Sequence, residues 1–124
     1  MTTALWCLLI TMFLPIVCAG ISKAGGEGYD NARPRDWLAR QEGFRARAVA
    51  AQQNSWEALI IFGLAVLAAH TVAGPQDSVD QFAVAFVLAR IGYIVAYVAN
   101  WALARSLVWL LGLFLSISIF VAAA

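Results

Sequence analysis

The sequence predicts an all-α membrane protein, a four-transmembrane-helix bundle, and three observations lead to this prediction. First, 63% of the 124 residues are hydrophobic and 12% are charged, whereas a soluble domain is about 45–50% apolar and about 25% charged. Second, the apolar residues fall into four runs, each near the roughly 20 residues with which a helix crosses a bilayer. Third, the length suits one domain. Residues 1–124 are therefore predicted to form a single membrane domain.

The first run, residues 3–21, is predicted to be a retained transmembrane helix. A signal peptide is not favoured, because no Lys or Arg precedes the apolar core and no small-residue cleavage site is followed by a soluble domain. The polar loop of residues 22–44 follows. Within it, Pro34 fits the first turn of a short helix.

The remaining runs are predicted to be helices at residues 45–73, 81–101 and 103–124. The second run ends before Gly74-Pro75, a strong turn signal. Six of the eight Lys and Arg residues lie in the loop of residues 22–44 or directly after it. Positively charged loops stay on the cytoplasmic side of a membrane. We therefore expect the loop in the cytoplasm and both termini on the opposite, periplasmic side.

Polar residues inside the second run form a stripe. Arg47, Asn54 and Glu57 stand at i, i+7 and i+10, which places them within roughly 80° of one another on a helix. A carboxylate inside a membrane span is costly and usually faces the interior of the bundle with a partner. This stripe is therefore the first candidate for a functional surface.

The third run repeats the pattern with Arg90, Tyr93, Tyr97 and Asn100 at i, i+3, i+7 and i+10. An arginine at the centre of a span costs at least about 2.5–3.5 kcal/mol, so it needs an acceptor. Glu57 is the only acidic side chain well inside any run. We therefore expect the two stripes to face each other, with Glu57 and Arg90 in one polar network.

Arg105 and Ser106 open the fourth run at the same cytoplasmic level. A helix N-terminus adds unpaired N–H groups and a partial positive charge. With three arginines against one carboxylate, the pattern predicts a site for a small anion that carries several hydrogen-bonding groups. The alternative is that these polar residues only hold the helices together.

Two classes of function are disfavoured. No basic patch is interleaved with aromatic residues, so nucleic-acid binding is not predicted. Cys7 and Cys18 show neither metal-ligand spacing nor a disulfide framework. Both cysteines are therefore predicted to be buried, unreactive thiols, and no metal site is expected.

His70, near the outer end of the second run, is predicted to be solvated or interfacial.

Two stretches resemble the MAPEG superfamily, the membrane-associated proteins of eicosanoid and glutathione metabolism. They are RAVAAQQNSWE in the second run and ARIGYIVAYVANWALARSLVW across the third and fourth. An Asn-x-x-Glu element is joined to Arg-x-x-Tyr-x-x-x-Tyr and a following Arg-Ser. A long loop after the first of four spans extends the resemblance over nearly the whole chain. The loop segment DNARPRDW is similar to the bacterial branch, which implies a location in a bacterial inner membrane.

The resemblance implies a homotrimer that binds glutathione between neighbouring subunits, with membrane lipid and a hydrophobic small molecule as further partners. It implies a glutathione-dependent transferase or peroxidase that acts on hydrophobic electrophiles or lipid hydroperoxides. Arg105 and Ser106 would be catalytic and would favour the glutathione thiolate, because the thiolate is the nucleophile. The implied glutathione-binding residues are Arg47, Gln53, Asn54, Glu57, Arg90, Tyr93 and Tyr97.

Several positions differ from the mammalian members. Gln53 stands where several of them have an arginine, and in the prostaglandin E synthase branch Tyr93 is a histidine and Leu110 a threonine. A prostaglandin synthase activity is therefore not implied. Two other functions stay open. One is a non-catalytic, lipid-binding accessory protein of the same superfamily. The other is a small proton-coupled exporter that uses the carboxylate of Glu57.

Overall fold

The computed structural model describes all 124 residues and consists of helices and connections, without strands. Four helices are long and apolar enough to cross a membrane, which confirms the predicted all-α class with four spans. A fifth, short helix lies in the loop and starts at Pro34, as predicted. The helices are α1 (Thr3–Lys23), α2 (Pro34–Ala39), α3 (Gly43–Val72), α4 (Asp77–Val98) and α5 (Ala102–Val121).

The four long helices run up and down as a bundle. α1 packs chiefly against α3 and α4 chiefly against α5, while α3 also contacts α4 and α5. One end of the bundle holds the loop of residues 24–42 and the turn of residues 99–101, and we refer to it as the loop end. The opposite end holds both chain termini and the turn of residues 73–76, and we refer to it as the termini end.

The interior is built from small side chains around one aromatic pair. The rings of Phe62 and Phe86 stack with their centroids 4.0 Å apart and their planes 5° from parallel. Ala65, Ala69 and Ala83 are almost fully buried around them, because small residues let membrane helices approach closely. Large apolar residues instead cover the outside of the bundle, as an apolar solvent requires.

Side chains at the termini end join helices that are distant in sequence. The hydroxyl of Thr2 accepts a hydrogen bond from the N–H of Leu5 at 3.3 Å. Asp80 of α4 accepts one from the N–H of Ala4 at 2.7 Å. The first N–H groups of a helix have no partner within the helix. Asp80 therefore acts as an N-terminal cap for α1 across the bundle.

We expect Asp80→Ala to lower the free energy of unfolding by about 1–2 kcal/mol, in the range for loss of a helix N-cap. The change leaves the N–H of Ala4 without its acceptor. Denaturation followed by circular dichroism in detergent would measure it. Asp77→Ala is the matched control, since Asp77 also lies in the first turn of α4 and makes no side-chain hydrogen bond to α1. Equal losses in both variants would contradict the capping role.

His70 lies at the same end of the bundle and also joins two helices. Its Nδ1 lies 2.9 Å from the carbonyl of Val66, and its Nε2 lies 2.7 Å from the hydroxyl of Thr2. A carbonyl only accepts, so Nδ1 carries a proton. His70 is half-buried and bonded at both nitrogens. It therefore ties α3 to the start of α1, which the prediction of a solvated or interfacial histidine did not include.

The end of α4 differs from the prediction, because the helix ends at Val98 and not at Trp101. Asn100 has a φ of 63°, a left-handed conformation that asparagine tolerates. The N–H of Asn100 bonds to the carbonyl of Tyr97 at 3.1 Å, and that of Trp101 to Ala96 at 2.8 Å. This pair of bonds is a Schellman motif. Asn100 therefore closes the helix and is not part of the polar stripe on α4.

The loop after α1 is folded around Trp37, which is 4% exposed. Its indole N–H donates to the carbonyl of Glu27 at 3.0 Å. A Cβ on Gly26 would lie 2.5 Å from the Trp37 ring, so only glycine fits there. Arg45 donates to the carbonyl of Ser22 at 3.1 Å and joins the start of α3 to the end of α1.

Candidate functional site

The polar residues of α3 and α4 meet in the interior of the bundle. Arg90 is 2% exposed, and its Nη2 donates to Asn54 Oδ1 at 2.9 Å and to Ser55 Oγ at 3.4 Å. Asn54 in turn donates from Nδ2 to Glu57 Oε2 at 3.4 Å. The structure thus places Glu57 and Arg90 in one network, as predicted. However, no hydrogen bond joins the two directly, and Asn54 bridges them.

An asparagine suits this bridging position because its amide both donates and accepts. The oxygen of Asn54 meets the guanidinium of Arg90, and its nitrogen meets the carboxylate of Glu57. A neutral side chain therefore holds the buried arginine in place without neutralising it. Ser55 is a contact that the sequence analysis missed. A small polar residue within an apolar run was the only signal that could have indicated it.

A row of four side chains, two tyrosines between two arginines, leads from this network to the loop end. The guanidinium carbon of Arg90 lies 4.0 Å from the centroid of the Tyr93 ring. Tyr93 and Tyr97 pack edge to face with centroids 5.6 Å apart, and Arg105 lies 4.5 Å from the centroid of Tyr97. A cation–π contact contributes about 0.5–1 kcal/mol when it is exposed and about 2 kcal/mol when it is desolvated. They fix the orientation of both tyrosines.

The start of α5 completes the site. Arg105 is half-buried, and its guanidinium makes no hydrogen bond within the chain, so the guanidinium N–H donors are free for a ligand. The hydroxyl of Ser106 donates to the carbonyl of Ala102 at 3.1 Å and is exposed. No side chain caps the N-terminus of α5. The unpaired N–H groups of its first turn therefore add a partial positive charge here.

These residues line one open cavity of about 470 Å³ at the loop end, which we refer to as the loop-end cleft. Its size lies within the roughly 300–1,000 Å³ of small-molecule sites. Five of the predicted site residues line it, together with two residues one helical turn beyond Arg105 and Ser106 that the sequence analysis did not assign to the site. The lining residues are Asn54, Tyr93, Tyr97, Arg105, Ser106, Trp109 and Leu110.

The structure does not bring the other four predicted residues to this cleft. Arg47 donates from Nε to the carbonyl of Val98 at 3.0 Å and thus pairs one of the carbonyls left free at the end of α4. Gln53 is exposed and lines a separate groove between α2 and α3. Glu57 and Arg90 lie in the wall of a narrow crevice beside the cleft. The predicted set is therefore divided among several places in the single chain.

That crevice, which we refer to as the inner crevice, has a volume of about 60 Å³ and lies between α3, α4 and α5. It shares Asn54 and Trp109 with the loop-end cleft. Its lining combines apolar residues, among them Ile61, Phe86 and Leu113, with the polar residues Asn54, Glu57, Arg90 and Ser116. The two cavities are therefore neighbours, and both are lined by polar and apolar residues.

Comparison with known proteins gives one match. The model of the MAPEG family matches residues 2–124, which include all five helices. No curated protein and no solved structure matches the chain. The match to the family therefore rests on essentially the whole chain and not on the polar site alone.

Proposed function

The chain belongs to the MAPEG family, and from this premise we propose that it is a glutathione-dependent transferase or peroxidase. It is an integral membrane protein, since four apolar helices agree with the family. The observation that carries the proposal is the loop-end cleft, in which Arg105, Ser106 and Asn54 line one cavity with two oriented tyrosines. The proposed catalytic residues are Arg105 and Ser106.

The cleft suits glutathione because this tripeptide is an anion with a thiol and many hydrogen-bonding groups. Arg105 offers free donors, and the first turn of α5 offers unpaired N–H groups. Both favour a negative charge, so they lower the pKa of a bound thiol from about 8.5 in solution. A larger share of the bound glutathione is then the thiolate at neutral pH.

The thiolate would act on a hydrophobic partner from the bilayer. With a carbon electrophile, a C–S bond forms and the leaving group departs with the bonding electron pair. With a lipid hydroperoxide, the sulfur attacks the distal oxygen, the O–O bond breaks and the alkoxide takes up a proton. A second glutathione then reduces the sulfenic product, which yields glutathione disulfide and water.

A homotrimer is part of the proposal. Gln53 and Glu57 are exposed on α3 beside Trp56 and Ile60, which are 45% and 61% exposed. A carboxylate that faces lipid within a span is costly, so another protein surface is expected to cover this face. A neighbouring subunit would do so, and Gln53, Glu57 and Arg47 would then complete the glutathione site from across the boundary.

The orientation in the membrane is also proposed. Six of the eight basic residues lie in or next to the loop, so the loop end would face the cytoplasm, where glutathione is found. Both termini would face the periplasm of a bacterial inner membrane. This places the loop-end cleft at the cytoplasmic surface.

Stopped-flow ultraviolet absorbance of the thiolate tests the function directly. Protein purified in detergent is mixed with glutathione, and we expect a rise in thiolate absorbance at pH 7. S-methyl glutathione, which has no thiol, is the control and should give none. If glutathione neither bound nor gave a thiolate signal, the proposal would fail. Tight lipid binding without a thiol requirement would instead favour the accessory-protein function.

A further inference from the structure

The guanidinium of Arg90 reaches the inner crevice with donors that the bundle does not use. Its hydrogen bonds within the chain, to Asn54 and Ser55, both come from Nη2, whereas an arginine carries five N–H donors on three nitrogens. No fully buried side-chain nitrogen or oxygen is without a partner, so Nε and Nη1 are not enclosed by protein. Arg90 lines the inner crevice and not the loop-end cleft. Its remaining donors therefore point into the inner crevice.

A charged group buried to this degree needs acceptors for those donors. Arg90 is 2% exposed, and a buried charge is costly unless it is hydrogen-bonded. The nearest acceptor on α5 is the hydroxyl oxygen of Ser116, which also lines the crevice. That hydroxyl donates to the carbonyl of Gly112 at 3.0 Å, and its oxygen can still accept. No direct hydrogen bond joins Arg90 to Ser116, so a molecule between them has to make the connection.

The size and charge of the crevice restrict what this molecule can be. Its volume is about 60 Å³, whereas even a benzene ring needs about 150 Å³ and a water molecule about 30 Å³. The charged residues in the lining are Arg90 and Glu57, and their opposite charges favour neither an anion nor a cation. A small neutral molecule that both donates and accepts hydrogen bonds fits this lining, and water is such a molecule.

Gly112 leaves the room for it beside the stem of the arginine. A Cβ at Gly112 would lie 3.9 Å from Arg90 Cδ and 3.6 Å from Phe86 Cε2. These are ordinary van der Waals distances, so a Cβ fits, and the atoms beyond it in a larger side chain would enter the crevice. Position 112 therefore gives access to the crevice by substitution.

We propose that the inner crevice is a hydration site in which about two ordered water molecules accept hydrogen bonds from Nε and Nη1 of Arg90 and donate to Ser116. The water keeps the buried guanidinium charged and in place. That guanidinium in turn holds Asn54 and packs on the Tyr93 ring, and both of these side chains line the loop-end cleft. The proposal does not depend on the glutathione function.

Solid-state NMR of the native protein in lipid bilayers tests for the water directly. Magnetisation transferred from water to the Nε–H of Arg90 is compared with transfer to the backbone N–H of Ala69, which is fully buried and does not line the crevice. At the same mixing time we expect a water signal at Arg90 and none at Ala69. Replacing chloride by iodide in the buffer should leave the Arg90 resonances unchanged.

Two variants of nearly equal shape test the chemistry of the site. The hydroxyl of Gly112→Thr can replace a water molecule as a partner of Arg90, whereas Gly112→Val displaces water without replacing its hydrogen bonds. We therefore expect the Tm of the threonine variant to be higher by about 4 °C or more, the shift for one hydrogen bond in a domain of this size. The same pair at Gly20, an exposed position of α1 with open space around it, gives the intrinsic difference to subtract.

Three results would overturn the proposal. They are a missing water signal at Arg90, a shift of its resonances with the halide, which would indicate a bound anion, and a valine variant at least as stable as the threonine variant after the subtraction. If neither Gly112 variant folds, the measurement on the native protein decides. None of these measurements involves glutathione, so this proposal and the proposed function can fail separately.

Discussion

Arg105→Ala is expected to lower the rate of glutathione conjugation at pH 7 by about a hundredfold. Arg105 is the only charged residue that lines the loop-end cleft, and its guanidinium makes no hydrogen bond within the chain. Removing one preorganised donor at a developing charge typically costs about 10²–10³ in rate. Without the guanidinium, the pKa of the bound thiol returns toward about 8.5, and most of the thiol is then protonated at pH 7.

The pH profile separates this role from a structural one. In the native protein the lowered pKa of the bound thiol keeps the thiolate present at neutral pH, and activity is lost as the pH falls through that value. In Arg105→Ala the midpoint should move up toward pH 8.5, so the difference between the two proteins shrinks as the pH rises. An unchanged midpoint would contradict the role.

Arg105→Lys and Ser106→Ala are the matched controls. Lysine keeps the positive charge but lacks the planar guanidinium that stacks on Tyr97, so we expect a loss smaller than that of alanine. The hydroxyl of Ser106 already donates to the carbonyl of Ala102. Its removal should therefore change the midpoint less than the removal of Arg105 does.

The helical spacing of the polar residues made part of this site predictable. Asn54 on α3 and Tyr93 and Tyr97 on α4 lie on faces that the 3.6-residue period defines, and the structure brings them together. Arg105 and Ser106 were predictable from their place at the start of the fourth run. The helical period predicts which residues share a face. Because polar groups exposed to lipid are costly, such polar faces are expected to pack against each other.

Contacts that depend on where neighbouring helices end were not predictable. Arg47 was expected beside Asn54, but the early end of α4 leaves the carbonyl of Val98 within its reach. That early end depends on the left-handed conformation of Asn100, which the hydrophobic pattern does not indicate. Gln53 lies on the same helix, α3, but on the side that faces α2. Its surroundings were not predictable, because the position of the short helix α2 depends on tertiary packing around Trp37.

Asn54→Ala is expected to lower the free energy of unfolding by about 2–3 kcal/mol. Asn54 is the nearest acceptor of the buried Arg90 guanidinium, at 2.9 Å. Hydrogen bonds to charged groups contribute about 1.5–3 kcal/mol, and an unsatisfied buried donor adds a penalty. Glu57→Gln should cost less than about 1 kcal/mol, because the bond from Asn54 is long, at 3.4 Å, and glutamine keeps an oxygen that can accept it. Unfolding in detergent, followed by circular dichroism, measures both.

Double-mutant cycles with Arg90→Met decide how the buried charge is held. Residues in contact show coupling energies of about 0.5–3 kcal/mol, and independent residues add within about 0.3–0.5. We expect a coupling energy of about 0.5–3 kcal/mol between Asn54 and Arg90. We expect the effects of Glu57→Gln and Arg90→Met to add within about 0.3–0.5 kcal/mol. The reverse order would indicate a direct ion pair between Glu57 and Arg90. The distinction matters for function, since an ion pair would cancel the charge of Arg90. A neutral amide leaves that charge uncancelled behind Asn54 and Tyr93, which line the loop-end cleft, so that it adds to the attraction of an anionic thiolate there.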